Sequence, residues 1–221
     1  MRLSIAIIGA LVATVAAPAL SQAQKPGKQS PNQLSISASK TTVRFGTTVF
    51  LKGQLTGPNS VGETIQLDAN PFPFAGFKTA GTFTADATGN YSFAQKPVAS
   101  TRYRTEAQTK PRTQSTEVTV NVALSVSLAV SDRTPRRGQR VTFSGSVRPA
   151  HDGQVALIQR RSSTGAYKTV ARAILADAGN ERSAYTRRLR INSTGVYRVQ
   201  VPSGDADHVT GTSSRRRLPV H

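Results

Sequence analysis

Apolar and polar side chains alternate along two stretches of this chain, and the two stretches match. In Gly46-Thr-Thr-Val49-Phe-Leu51-Lys-Gly53-Gln-Leu55 the apolar positions Val49, Leu51 and Leu55 stand at i, i+2 and i+6. Ninety-two positions later Gly138-Gln-Arg-Val141-Thr-Phe143-Ser-Gly145-Ser-Val147 repeats both glycines and all three apolar positions in register. A period of two is that of a strand with one buried face, and a leading glycine suits the turn before it. The chain therefore reads as all-β, two antiparallel β-sandwiches in tandem.

The remaining elements follow from the same alternation. In the first copy, strands are expected at Leu34-Ser-Ile36-Ser-Ala38, around Ile65 and Leu67, from Phe77 to Phe83, at Tyr91-Ser-Phe93, from Thr101 to Glu106 and from Glu117 to Val122. Turns fall at Gly57-Pro58-Asn59 and Asp86-Ala-Thr-Gly-Asn90, and the two prolines of Asn70-Pro-Phe-Pro-Phe74-Ala-Gly76 break the pattern. The second copy answers in order with Val126 to Val130, Val155-Ala-Leu157, Tyr167-Lys-Thr, the Asp177-Ala-Gly-Asn180 turn and Val196-Tyr197-Arg198. Between the copies, Val120 to Val126 runs without glycine or proline, which predicts a stiff, end-to-end junction.

Four segments result. Residues 1–23 read as a secretory signal peptide, with Arg2, an apolar run from Ile5 to Ala19 and the small-x-small motif Ser21-Gln-Ala23. Residues 24–33 are a polar, proline-bearing lead-in without enough apolar surface to order itself. Residues 34–122 and 123–221 form the two sandwiches, each of ordinary size for an Ig-like fold. No second hydrophobic run is long enough to span a membrane, so the mature chain is expected to be secreted or held non-covalently at a cell envelope.

Composition sharpens this picture in two ways. The chain has no cysteine, which rules out disulfides, thiol catalysis and thiolate metal sites; in an exported chain this favours a bacterial source. Charge is lopsided, with Lys plus Arg at 29 against 11 Asp plus Glu. Residues 24–122 carry 11 basic and 5 acidic side chains and residues 123–221 carry 17 and 6, so the excess lies mainly in the second copy. Attraction to anionic polymers is the expectation such a balance supports.

With these motifs in place (an alternating strand, G-x-x-V-x-[LF]-x-G, [FY]-K-T, D-x-G-N and T/G-x-Y-R), the chain resembles the tandem Ig-like repeats of secreted and surface proteins of actinobacteria and related groups. The resemblance implies the sandwich fold and a spacer, stalk or attachment role. It also implies that Tyr103 and Tyr197 act as the tyrosine corner, their hydroxyls bonding nearby backbone.

Candidate chemistry is sparse. Only His151, His208 and His221 could serve as acid-base groups, and no nucleophile elbow accompanies them. No catalytic residue is expected. Gly204-Asp205-Ala-Asp207-His208 is the most metal-like string, but it falls short of a full ligand set and reads as a loop. Neither a metal site nor a cofactor is assigned. Asp86 and Asp177 precede Gly-Asn in matching turns and are expected to hold them.

Two contact surfaces remain. Arg136, Arg137, Arg140, Arg160 and Arg161 are the candidates for contact with an anionic envelope polymer, since arginine pairs bidentately with phosphate. Nothing suggests sequence-specific nucleic-acid readout. Phe72, Phe74 and Phe77 either close the edge of the first sandwich or point outward as a docking patch for another exported protein. The expected function is a non-enzymatic secreted or envelope-associated binding or structural module; the alternative is an accessory subunit of an exported enzyme.

Overall fold

The structure, a computed structural model, describes residues 31–58 and 60–221. The segment expected to be a signal peptide and most of the expected lead-in lie outside the described residues. Ten strands build the first sandwich: β1 (Gln33–Leu34), β2 (Ser37–Ala38), β3 (Thr42–Arg44), β4 (Val49–Thr56), β5 (Thr64–Pro71), β6 (Lys78–Thr84), β7 (Asn90–Gln95), β8 (Thr101–Ala107), β9 (Thr113–Gln114) and β10 (Val118–Ala123). One sheet is β1-β4-β2 with β7 also paired to β4; the other is β3-β10-β8-β5-β6 with β9 on β8.

The second sandwich comprises β11 (Ser125–Val126), β12 (Ala129–Val130), β13 (Gln139–Arg148), β14 (Val155–Arg161), β15 (Tyr167–Ile174), β16 (Ala176–Asp177), β17 (Ser183–Ile191), β18 (Gly195–Val201), β19 (Gly211–Thr212) and β20 (Arg216–Leu218). Its sheets are β11-β13-β17-β16, with β12 on β13, and β15-β14-β18-β19, with β20 on β18. Among the described residues there is no helix, and hence none long and apolar enough to cross a membrane.

The repeated motif lies on β4 and β13, and its alternation is realised as burial. Val49, Leu51, Leu55, Val141, Phe143 and Val147 are all fully buried. Each sandwich has its own apolar core, one collected from Leu34 to Val122 and the other from Leu124 to Leu218. Gly46 and Gly138 take positive φ, +82° and +80°, in the turns that feed the strands.

The second glycine of the motif answers a different need. Gly53 stands opposite Tyr91 and Gly145 opposite Tyr185. Each tyrosine crosses the glycine so that its hydroxyl reaches the backbone of the opening segment, Tyr91 to the Ser35 carbonyl and Tyr185 to the Ser127 carbonyl at 2.6 Å. Tyr91 also meets Thr105 Oγ1 at 2.7 Å. Burial pushes the Tyr91 phenol up to about 12 and the Tyr185 phenol higher still.

Two expectations need correction. The backbone-pinning tyrosines are Tyr91 and Tyr185; Tyr103 and Tyr197 are instead buried among the core side chains. The proline break is also shorter than the sequence suggests. Strand β5 runs on through Asn70 and Pro71, opposite Arg102 and Thr101, because a proline at a strand's last position removes no needed donor. Strand β3, which pairs in parallel with β10, has too short an apolar pattern to be read from the sequence.

The sandwiches meet end to end. Leu124 N–H donates to the Val209 carbonyl and Val209 N–H to the Val122 carbonyl, at 3.1 and 2.8 Å. Ser100 N–H of the first sandwich donates to the Asp207 carbonyl of the second at 2.7 Å. Strands β13 and β18 therefore each have one end at this junction and one at the distal tip of the molecule.

Candidate functional site

Strand direction sorts the charges of the second sandwich. Strand β13 runs from the distal tip to the junction, while β14 and β17 both run back against it, so Arg140, Arg161 and Arg190 all fall at the distal end. Arg136 and Arg137 belong to the turn that enters β13, where Arg137 N–H donates to the His221 carbonyl. Arg140 lies directly opposite Arg190, with Arg188 one step along the same face opposite Thr142. Like charges placed directly opposite each other cost stability. Among the described residues no arginine of the second sandwich forms an ion pair with a carboxylate.

The carboxylates go the other way. Of the second sandwich's Asp132, Asp152, Asp177, Glu181, Asp205 and Asp207, only Asp132 is at the distal end. Asp152 is in the β13–β14 turn, Asp177 and Glu181 flank the start of β17, and Asp205 and Asp207 lie in the β18–β19 loop, all beside the junction.

The five arginines singled out from sequence thus share one end of the sandwich but not one face. Arg136, Arg137 and Arg140 are exposed and lie with the β13–β17 sheet. Arg160 and Arg161 belong to the other sheet and are partly committed. Arg160 Nη2 donates to Ser193 Oγ and the Thr194 carbonyl, both at 2.8 Å, and so holds the β17–β18 loop. Arg161 Nε donates to the Gly165 carbonyl at 3.3 Å. Arg160 and Arg190 nevertheless line one groove of about 230 Å³ at this tip. Arg188 and Arg190 complete the cationic face, while Arg187, the strand neighbour of Arg188, points to the opposite face.

The phenylalanines form a half-buried ledge. Phe72 and Phe74 meet edge to face at 5.6 Å. Arg102 covers the Phe74 ring at 4.3 Å and Arg104 the Phe77 ring at 4.1 Å. The second sandwich repeats the device with Arg198 over Tyr167 at 3.8 Å, where Arg198 Nε also donates to Gln159 Oε1. The Phe74 and Phe77 rings are thus covered by arginines of their own sheet.

A third cluster lies at the junction. The β13–β14 turn carries His151 to the β18–β19 loop, so that Asp205 Oδ2 is 2.9 Å from His151 Nε2 and Asp207 Oδ1 is 2.9 Å from His208 Nδ1. The imidazole rings stand at 85° with centroids 5.3 Å apart. Both histidines are buried while Asp205 and Asp207 are partly exposed. Burial raises the Asp207 carboxyl, but the polar neighbours Asp205 and His208 outweigh it, and the net shift is downward from 3.8. The string 204–208 was legible in sequence; His151, more than fifty positions away, was visible only as a turn residue.

No family model matches this chain, and no curated protein matches it. Among solved structures, a tetra-tandem repeat from the extending region of a large adhesion protein is similar over 85% of this chain, at 14% identity and a TM-score of 0.35. This chain spans 49% of the length of that structure.

Proposed function

We propose that this chain is a non-enzymatic, exported binding or structural module, either released or held at a cell envelope, whose second sandwich grips anionic polymers with its distal end. The observation that supports this reading most directly is the charge segregation along the second sandwich. Most of its arginines lie toward the tip, where Arg140 faces Arg190 without a carboxylate between them, and every carboxylate but Asp132 lies beside the junction. A polymer bearing phosphate or carboxylate groups would relieve that repulsion through charge-assisted bonds. The first sandwich then serves as the spacer that sets the tip away from the chain's N-terminal end.

Retention of the mature protein on purified wall teichoic acid or duplex DNA, recorded from low to high salt, tests the proposal. Binding should weaken steeply with salt, because counterions compete for each arginine contact. Docking through the Phe72–Phe77 ledge would instead be nearly indifferent to salt and lost in Phe74→Asp. No retention at low salt on any anionic polymer would overturn the polymer reading.

A further inference from the structure

We infer that His151, Asp205, Asp207 and His208 form a binding site for one divalent transition-metal ion of the zinc type. Each offers one ligand atom, and the four atoms lie within 4.8 Å of one another. Zinc bonds to imidazole nitrogen and carboxylate oxygen at about 2.0–2.2 Å, so a tetrahedral shell has edges of about 3.4 Å. The N···O separations of 2.9 to 4.0 Å bracket that edge.

The hydrogen bonding points the same way. His151 Nδ1 faces the Pro149 carbonyl at 3.0 Å and His208 Nε2 faces the Val98 carbonyl at 2.9 Å. A carbonyl can only accept, so those nitrogens carry the ring protons. In the neutral rings this leaves the lone pairs of His151 Nε2 and His208 Nδ1 directed into the cluster. Both nitrogens and Asp207 Oδ1 are buried and lack a hydrogen-bond partner despite their short distances to one another. The two histidine side chains are only 5% and 4% exposed. Ligand atoms turned toward a common centre, each imidazole anchored through its far nitrogen to a backbone carbonyl, is the arrangement a metal-binding histidine pair adopts. Two nitrogens with two carboxylates suit zinc or its neighbours rather than calcium or magnesium, which take oxygen shells.

Position gives the site a consequence. The Val98 carbonyl that orients His208 belongs to the first sandwich, as does Ser100, which bonds the Asp207 backbone. A bound ion would tie the β13–β14 turn to the β18–β19 loop and stiffen the surface on which the first sandwich rests.

The test is a zinc titration of the tag-free mature chain by calorimetry and thermal melting, with cobalt(II) as a spectroscopic probe. One ion per chain should bind and raise Tm, and cobalt should give the intense visible absorption of a tetrahedral site. His151→Gln and Asp207→Asn should each weaken binding roughly tenfold or more, and His221→Ala should not. Asp205→Asn, at the most exposed ligand, gives the same reading with the least risk to folding, checked by circular dichroism. Absence of stoichiometric zinc binding, binding undiminished in folded Asp205→Asn, or equal response to calcium would overturn the inference.

Discussion

Gly145 has room for a hydrogen and nothing larger. A Cβ built there would lie 2.2 Å from the Ser127 carbonyl oxygen and 2.6 Å from the Tyr185 hydroxyl, so either the opening segment or the tyrosine must move. Gly145→Ala should therefore destabilise the second sandwich by about 3 kcal/mol, the upper part of the range for overpacking. Tyr185→Phe removes only the hydroxyl and leaves the Ser127 carbonyl short of its partner, a loss of about 1 kcal/mol. Because the two changes disrupt one contact, the double variant should cost clearly less than their sum. Urea denaturation of the four proteins decides it, and additive losses would show that glycine and tyrosine act separately. The glycine half of this pair was legible in the sequence, since its repeat at a fixed spacing is what betrays the tandem fold. The tyrosine half was not: Tyr103 and Tyr197 share the same ninety-four-residue spacing as Tyr91 and Tyr185 and sit in the more conspicuous Y-R motif.

At the scale of elements, matching turns have unequal anchors. Asp86 Oδ1 accepts from Thr88 N–H, Thr88 Oγ1 and Asn90 N–H at 2.7 to 2.9 Å. Asp177 Oδ1 accepts from Gly179 N–H at 2.8 Å. The side-chain bond from Thr88, then the backbone bonds from Asn90 and Thr88, hold the Asp86 carboxyl below 3.8. A carboxylate with a depressed pKa contributes stability that is present above its unfolded value and lost as pH falls through the folded one. Asp86→Ala should thus lower Tm at neutral pH by more than Asp177→Ala, and its deficit should shrink as the medium is acidified below 3.8. Thermal melts across that range check this; a deficit independent of pH would assign the role of Asp86 to something other than its charge. These turns were readable because an aspartate shortly before Gly-Asn encodes its own local bonds. The metal-like cluster was not, because its fourth member, His151, reaches the others only through the course of β13 and β14. Nothing local in the sequence marks that approach.

For the whole molecule, the fold turns a compositional bias into a direction. A count of arginines says only that the second repeat is basic. The antiparallel course of β13, β14 and β17 puts most of those arginines toward one end and every carboxylate but Asp132 toward the other, which no window of sequence displays. The same topology places the His151 cluster at the junction, so the cationic tip and the candidate metal site occupy opposite ends of one sandwich and can be perturbed separately.

Polymer binding by the tip depends on the position of that charge rather than its amount. Two double variants remove the same charge at opposite ends: Arg140→Glu with Arg190→Glu at the tip, and Arg148→Glu with Arg172→Glu toward the junction. The measurement is the salt dependence of binding to one anionic polymer for both and for the unaltered chain. The tip variant should lose affinity and flatten the slope of log K against log salt by about two units, roughly one for each phosphate contact removed, while the junction variant stays close to the parent. Equal losses in the two variants would contradict the account and reduce the attraction to net charge alone.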